Sequence, residues 1–223
     1  MQINRYKVKI TFTEPVLGSQ PTTDIAAEFV AKKAQEALTK EAGKYNGELP
    51  EGYSVEIPEE LMPHIDTPTD AVDKATTVFP RLDGEPMIMN YQVKGFLKES
   101  ANIQNKMHGF ATYRDQIGKF VHIPQRYIQL NIPHNGDFEI CSRPLRAMTA
   151  QGPRVSLARS EQLPAGTWFE FELHLLLLPK CVIKAEHIKE LLDFGKYIGL
   201  GQWRSSGSYG TFDYTFETLE EVA

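Results

Sequence analysis

The chain has 223 residues, 41% of them apolar, 24% charged and 10% aromatic, with a net charge of −5. That supplies enough apolar material for a proper core. It excludes a protein that coats polyanions over its whole surface, while leaving room for a local basic groove. Cys141 and Cys181 are the two cysteines and no C-x-x-C spacing exists, so no disulfide framework is encoded and a reduced, cytoplasmic setting is expected. The opening residues enter a strand pattern without a signal-peptide apolar region. The longest apolar run, around Leu175 to Pro179, is too short to span a bilayer, so no membrane partner is expected.

Tyr6, Val8, Ile10 and Phe12 alternate with Lys7, Lys9, Thr11 and Thr13, which predicts a half-buried first strand ending at Glu14-Pro15. Asp24 reads as a helix N-cap, and apolar residues at helical spacing from Ile25 to Leu38 predict a helix over about 24–42. Residues 41–73 are acidic and broken by Pro50, Pro58, Pro63 and Pro68, the pattern of a surface insertion. Asp83-Gly84 marks a turn, and a short apolar stretch from Pro86 leads to a helix start at Lys94.

Residues 119–132 read as two short strands around Pro124, with Arg126, Ile128, Leu130 and Ile132 on one face. Residues 141–159 carry Arg143, Arg146, Arg154 and Arg159 without one acid, and read as a strongly positive loop. Thr167 to Leu178 is a strong alternating strand. A helix follows over about 185–197, with Ile188, Leu191, Leu192 and Phe194 inward. The last strand carries Phe212, Tyr214 and Phe216 on one face. Interleaved helices and half-buried strands predict an α+β fold: a ferredoxin-like (RRM-like) antiparallel sheet with helices on one face and inserted loops, in one domain over 1–223.

Gly199, Gly201, Gly207 and Gly210 lie close together between the last helix and the last strand, with Arg204, Ser205 and Ser206 among them. Glycines at that density let backbone approach a ligand, and exposed N–H groups can cradle phosphate. The segment is not a Walker A loop, because Gly-Lys-Ser/Thr is missing, nor a Rossmann fingerprint, because it follows a helix and precedes a strand. Trp203 and Tyr209 flank Arg204 and are candidates either to stack on bases or to be buried under the loop. Lys94 and Lys98, one turn apart, and the four arginines are further candidates for phosphate contact.

Four stretches resemble the RAMP (repeat-associated mysterious protein) superfamily, in particular the backbone subunit of type III and related CRISPR effector complexes. The run Gly199 to Phe212 is similar to that family's C-terminal glycine-rich loop, with one residue inserted between Gly207 and Gly210. Leu82 to Lys98 resembles its turn and Lys-Gly helix start, although Tyr91-Gln92-Val93 replaces a small glycine–serine run. Arg143 to Leu173 resembles an arginine-containing linker followed by a strand, closest in Glu161 to Leu173; Glu14 to Ser19 resembles the turn after the family's first strand.

The resemblance implies a ferredoxin-like core and guide-like single-stranded RNA held by Lys94, Lys98, Arg143, Arg146, Arg154, Arg159, Arg204, Ser205 and Ser206. It further implies neighbouring effector subunits, a homo-oligomer and a place in antiviral defence. The six histidines show no metal-ligand spacing, so no cofactor and no metal are expected. Two alternatives stand beside a non-catalytic RNA-binding subunit. One is a RAMP-type endoribonuclease using Asp73 or His122, which RNA cleavage lost on Asp73→Ala or His122→Ala would support. The other is a stand-alone protein-interaction module that modulates an effector complex through its acidic stretch, which an RNase-insensitive partner would support.

Overall fold

The computed structural model describes residues 2–21, 76–105, 107–109, 112–133, 138–149, 152–205 and 207–220, with the backbone alone at 145–149 and 153–156. The helix expected over 24–42, the acidic insertion at 41–73, Asp73 and Ser206 lie outside the described residues. The chain forms two compact units. One comprises Met1–Ser19, Phe79–Cys141 and Glu161–Ala223; the second comprises Gln20–Val78 and Ser142–Ser160.

The first unit is built on β1 (Gln2–Phe12), whose alternation holds: Tyr6, Val8 and Ile10 are fully buried and Phe12 nearly so. β1 pairs antiparallel with β11 (Trp168–Leu177) on one side and with β12 (Phe212–Glu220) on the other, and β11 pairs antiparallel with the short β7 (Val121–His122). The spatial order is β12-β1-β11-β7. Helices α1 (Asn90–Ile103) and α2 (Tyr113–Phe120) lie in the connection from β1 to β7, and α3 (Ala185–Ile198) in that from β11 to β12. α1 packs against both other helices.

One apolar cluster joins the buried strand residues to Val93, Phe96 and Leu97 of α1, Ile117 of α2, and Ile188, Leu191 and Leu192 of α3. Each such side chain taken fully from water contributes about 1.5–3 kcal/mol before entropy is counted. Phe96 of α1 meets Phe212 of β12 edge-on at 5.5 Å and ties the helix to the sheet, while Phe12 and Phe169 meet at 5.9 Å between the paired strands β1 and β11. The alternate strand residues stay partly exposed and pair across the sheet. Lys7 Nζ sits 3.0 Å from Glu170, and Lys9 lies 4.1 Å over the Trp168 ring.

A smaller antiparallel sheet is made by β5 (Arg81–Leu82), β6 (Glu85–Met89) and β8 (Tyr127–Gln129). Asp83 and Gly84 both take positive φ, 53° and 88°, which is the two-residue turn that matches hairpin twist. Gln162 and Leu163 of β10 (Gly152–Leu163) pair with β2 (Val16–Leu17) in this unit. Glu161 is buried there; it accepts the Phe79 N–H at 2.9 Å and pairs with Arg81.

In the second unit β3 (Gln20–Pro21) pairs antiparallel with β4 (Thr76–Val78), and β4 pairs parallel with β10 at Arg159 and Ser160. The Thr77 hydroxyl donates to Ser160 Oγ at 2.8 Å. β9 (Glu139–Thr149) runs beside β10.

The described fold is therefore mixed α+β with antiparallel sheets and three helices, none long and apolar enough to cross a membrane. Several local expectations change. Residues 141–149 and 152–159 are strand rather than loop, because the two stretches satisfy their backbone groups by pairing with each other. α1 starts at Asn90, not Lys94, because the Gln92 side chain accepts the Met89 N–H at 2.8 Å and caps the helix early. Phe194 is 37% exposed; Gly195 and Ile198 take the inward positions of α3 instead. α2 lies where no element was assigned.

Candidate nucleic-acid interface

The glycine-rich connection from α3 to β12 is held by backbone hydrogen bonds to the rest of the first unit. Gln202 N–H donates to Leu17 O at 3.1 Å, Gly210 N–H to Pro15 O at 2.8 Å and Ser205 N–H to Ile198 O at 2.7 Å. A side chain at Gly201 would meet Leu17 O at 2.7 Å, and one at Gly210 would run into the Leu200 carbonyl, so those two positions admit only glycine. Trp203, Ser205 and Ser208 also take left-handed backbone, with φ of 60°, 63° and 57°. Such residues persist only where the surroundings over-determine them, and they concentrate at ligand clamps. Trp203 and Tyr209 are half-buried, and the Tyr209 hydroxyl lies 3.5 Å from Cys141 Sγ.

The loop reaches α1 through Arg204. Its Nη2 and Nε donate to a single oxygen of Glu99, at 2.6 and 3.1 Å, and its Nη1 donates to Gly201 O at 3.2 Å. Between the loop and α1 lies a groove of about 250 Å³, bounded among others by Ser19, Tyr91, Gln92, Gly95, Gly201 and Arg204. A second groove of similar size is bounded by Gly95, Lys98, Glu99, Asn102 and Arg114. The two meet at Gly95, so a shallow track crosses α1.

Gly95 stands in the helix interior, exposed, with nothing within 4 Å of where a Cβ would be. Glycine there costs about 1 kcal/mol against alanine, and no packing demand explains it.

Lys94 and Lys98 are both half-buried on α1, one turn apart, and Lys98 lies along Gly118 of α2. Burial first, and the neighbouring Lys98 ammonium second, hold the Lys94 ammonium below its usual range. Like charges at this spacing repel, so an anion between them relieves the helix. They stand past the first turn of α1, however, so free helix N–H groups do not help them.

The expected site residues fall into two groups. Lys94, Lys98, Arg204, Ser205, Gly199, Gly201, Gly207 and Gly210 belong to the first unit. Arg143 and Arg159 are half-buried on β9 and β10 in the second, with Arg146 and Arg154 on the same strands. Arg114 and Tyr91 escaped the sequence reading. Arg114 lies in a helix whose apolar spacing, Tyr113, Ile117 and Phe120, went unread; Tyr91 was visible as the departure from a run of small residues.

His122 is exposed on β7 with its ring 6.2 Å from His174, whose Nε2 lies 3.2 Å from Glu172. Among the described residues no group of three or more His, Cys, Asp or Glu is placed to hold a metal.

No family model and no curated protein matches the chain. Among solved structures, it is similar to a chain in the cryo-EM structure of the Type III-B Cmr-beta bound to cognate target RNA, at 14% identity and a TM-score of 0.47. The match covers 98% of this chain and 61% of the other, so the chain spans less than two thirds of that relative's length.

Proposed function

We propose that the chain is a non-catalytic, RNA-binding subunit of RAMP type, acting as one RAMP-like domain with other subunits and with further copies of itself. The first unit is ferredoxin-like in this reading. Its strand order, numbered within the sheet, is 4-1-3-2, with one helical connection before the second strand and one before the fourth.

The observation that carries the RNA reading is the track across α1. A glycine loop fixed in left-handed turns faces a helix glycine that packs against nothing, and Lys94, Lys98, Arg114 and Arg204 line or flank that surface. Contacts of this kind grip the sugar–phosphate backbone and carry little sequence information. In the second unit, Arg143, Arg146, Arg154 and Arg159 are the candidates for phosphate contact in this reading.

The test is binding of labelled single-stranded RNA at low and moderate salt, with light scattering on the same samples. Four phosphate contacts in the first unit predict a slope of log K against log salt of about −3. A particle that grows with RNA length supports the oligomer. A flat salt dependence or no binding overturns the reading.

A further inference from the structure

We propose that His122 and His174, opposed across β7 and β11, bind one divalent transition-metal ion of the zinc, nickel or copper class, with Glu172 orienting His174. The site stands apart from the RNA-binding reading and uses none of its residues.

The sheet register brings the two rings together. His174 of β11 is the direct partner of His122 on the edge strand β7, and Leu175 is the partner of Val121. Val121, Phe171, Leu173 and Leu175 are buried in the apolar cluster, so alternation turns His122, His174 and Glu172 to the opposite face. The ring centres lie 6.2 Å apart. Two imidazoles bound to one ion at about 2.0–2.1 Å bring their centres to about 5 Å, and His122 is exposed, so a side-chain rotation closes the difference. Ligand spacing along the chain does not reveal such a pair, because its members meet only when the strands do.

Glu172 supplies the second half of the argument. His174 Nε2 lies 3.2 Å from Glu172 Oε2. An ionised carboxylate only accepts, so the proton sits on Nε2 and Nδ1 keeps a lone pair for a metal. A ligating histidine commonly donates its other ring N–H to a carboxylate, which fixes the ring and raises the basicity of the ligating nitrogen. Glu172 is held in turn, its backbone N–H donating to Gln125 Oε1 at 3.1 Å. Arg5 and Lys7 stand opposite His174 and Glu172 on β1, but Arg5 Nε lies 3.5 Å from Glu220 and Lys7 Nζ 3.0 Å from Glu170, so both cations have carboxylate partners. Glu172 orients rather than ligates; the chain gives two nitrogens and water completes the shell. Imidazole donors select zinc, copper and nickel over magnesium, with copper the tightest.

Calorimetric titration of protein made without a histidine tag, with ZnCl2, NiCl2, CuCl2 and MgCl2, tests this. One zinc, nickel or copper ion binds per chain, copper most tightly, and magnesium gives no heat. His122→Ala abolishes binding and leaves the far-ultraviolet circular dichroism unchanged; His174→Gln does the same. Glu172→Ala weakens zinc about 10–100-fold, and Glu172→Gln, which keeps an acceptor for the Nε2 proton, recovers most of that loss. Zinc raises the melting temperature of the wild type and not that of His122→Ala. The inference is overturned if the wild type binds none of the three ions, if it binds magnesium as well as zinc, or if binding survives His122→Ala. An unchanged zinc affinity in Glu172→Ala overturns the role given to Glu172.

Discussion

Gly95 and Gly195 stand on two helices that pack together, and the same substitution at each has opposite consequences. Replacing glycine by alanine in a helix interior stabilises by about 1 kcal/mol when nothing else changes. At Gly95 nothing else changes, since a Cβ there meets no atom within 4 Å. At Gly195 the added Cβ falls onto the Phe96 ring and 2.9 Å from Ser100 Oγ. Phe96 has little room to retreat, because its other side meets Phe212 at 5.5 Å.

Overpacking of that kind costs about 1–3 kcal/mol. Gly95→Ala therefore stabilises by about 1 kcal/mol, and Gly195→Ala is neutral to destabilising by about 2 kcal/mol after the helical gain is subtracted. The propensity contribution is common to both variants, so the gap between them, about 1–3 kcal/mol, measures the helix contact itself. Urea unfolding of the two variants, with m-values compared, reads this directly. Equal shifts of the same sign would refute the claim that Gly195 is there to let α1 approach. If the track over α1 carries RNA, Gly95→Ala also weakens RNA binding while raising stability, the trade expected where a residue serves a ligand rather than the fold.

Glu161→Ala removes the acceptor of the Phe79 N–H and the partner of Arg81 from a buried position; it is expected to cost about 2–3 kcal/mol in chemical denaturation, with Glu161→Gln in between. Ser100→Ala is expected to stabilise by about 1 kcal/mol, because the buried Ser100 hydroxyl has no hydrogen-bond partner among the described residues, and a thermal melt checks it. Burial, and then the bond donated at 3.0 Å to Asp193, push the Tyr214 phenol up to about 12. A raised acid pKa favours the folded state's proton, so stability is full below pH 10 and is lost as pH rises towards 12; Tyr214→Phe flattens that loss in pH-dependent unfolding. Lys98→Ala is expected to reduce the salt slope of RNA binding by about 0.7 while leaving the far-ultraviolet circular dichroism unchanged.

The sheet was legible because each of its long strands buries one face and wets the other. Tyr6 to Phe12, Phe169 to Leu175 and Phe212 to Phe216 carry period-two patterns that no helix can satisfy. Where the signal was a boundary rather than a period, the reading slipped. α1 begins four residues early because a glutamine cap, not apolar spacing, decides its start. Residues 141–159 looked like loop because their arginines and prolines masked a ribbon. The glycine loop was legible as a loop, but not the contact that orients it. Arg204 and Glu99 are 105 residues apart and meet only once α3 has packed on α1. For the same reason Arg114 carries no sequence signal that links it to Lys98.

The position of β1 at the centre of its sheet sets a schedule for folding. Its hydrogen-bonding edges are completed by β11 and β12, so a segment made first waits for segments that begin at residues 168 and 212. At about 5–20 residues per second, the ribosome needs roughly 8–30 s to reach β11 after finishing β1. Throughout that interval the nascent chain holds an apolar, alternating strand with both edges open, which is the kind of segment that pairs with the wrong neighbour. A single-residue substitution that raises the apolar content of β1's wet face, such as Lys7 or Lys9 to valine, therefore harms yield during synthesis more than it harms the finished fold.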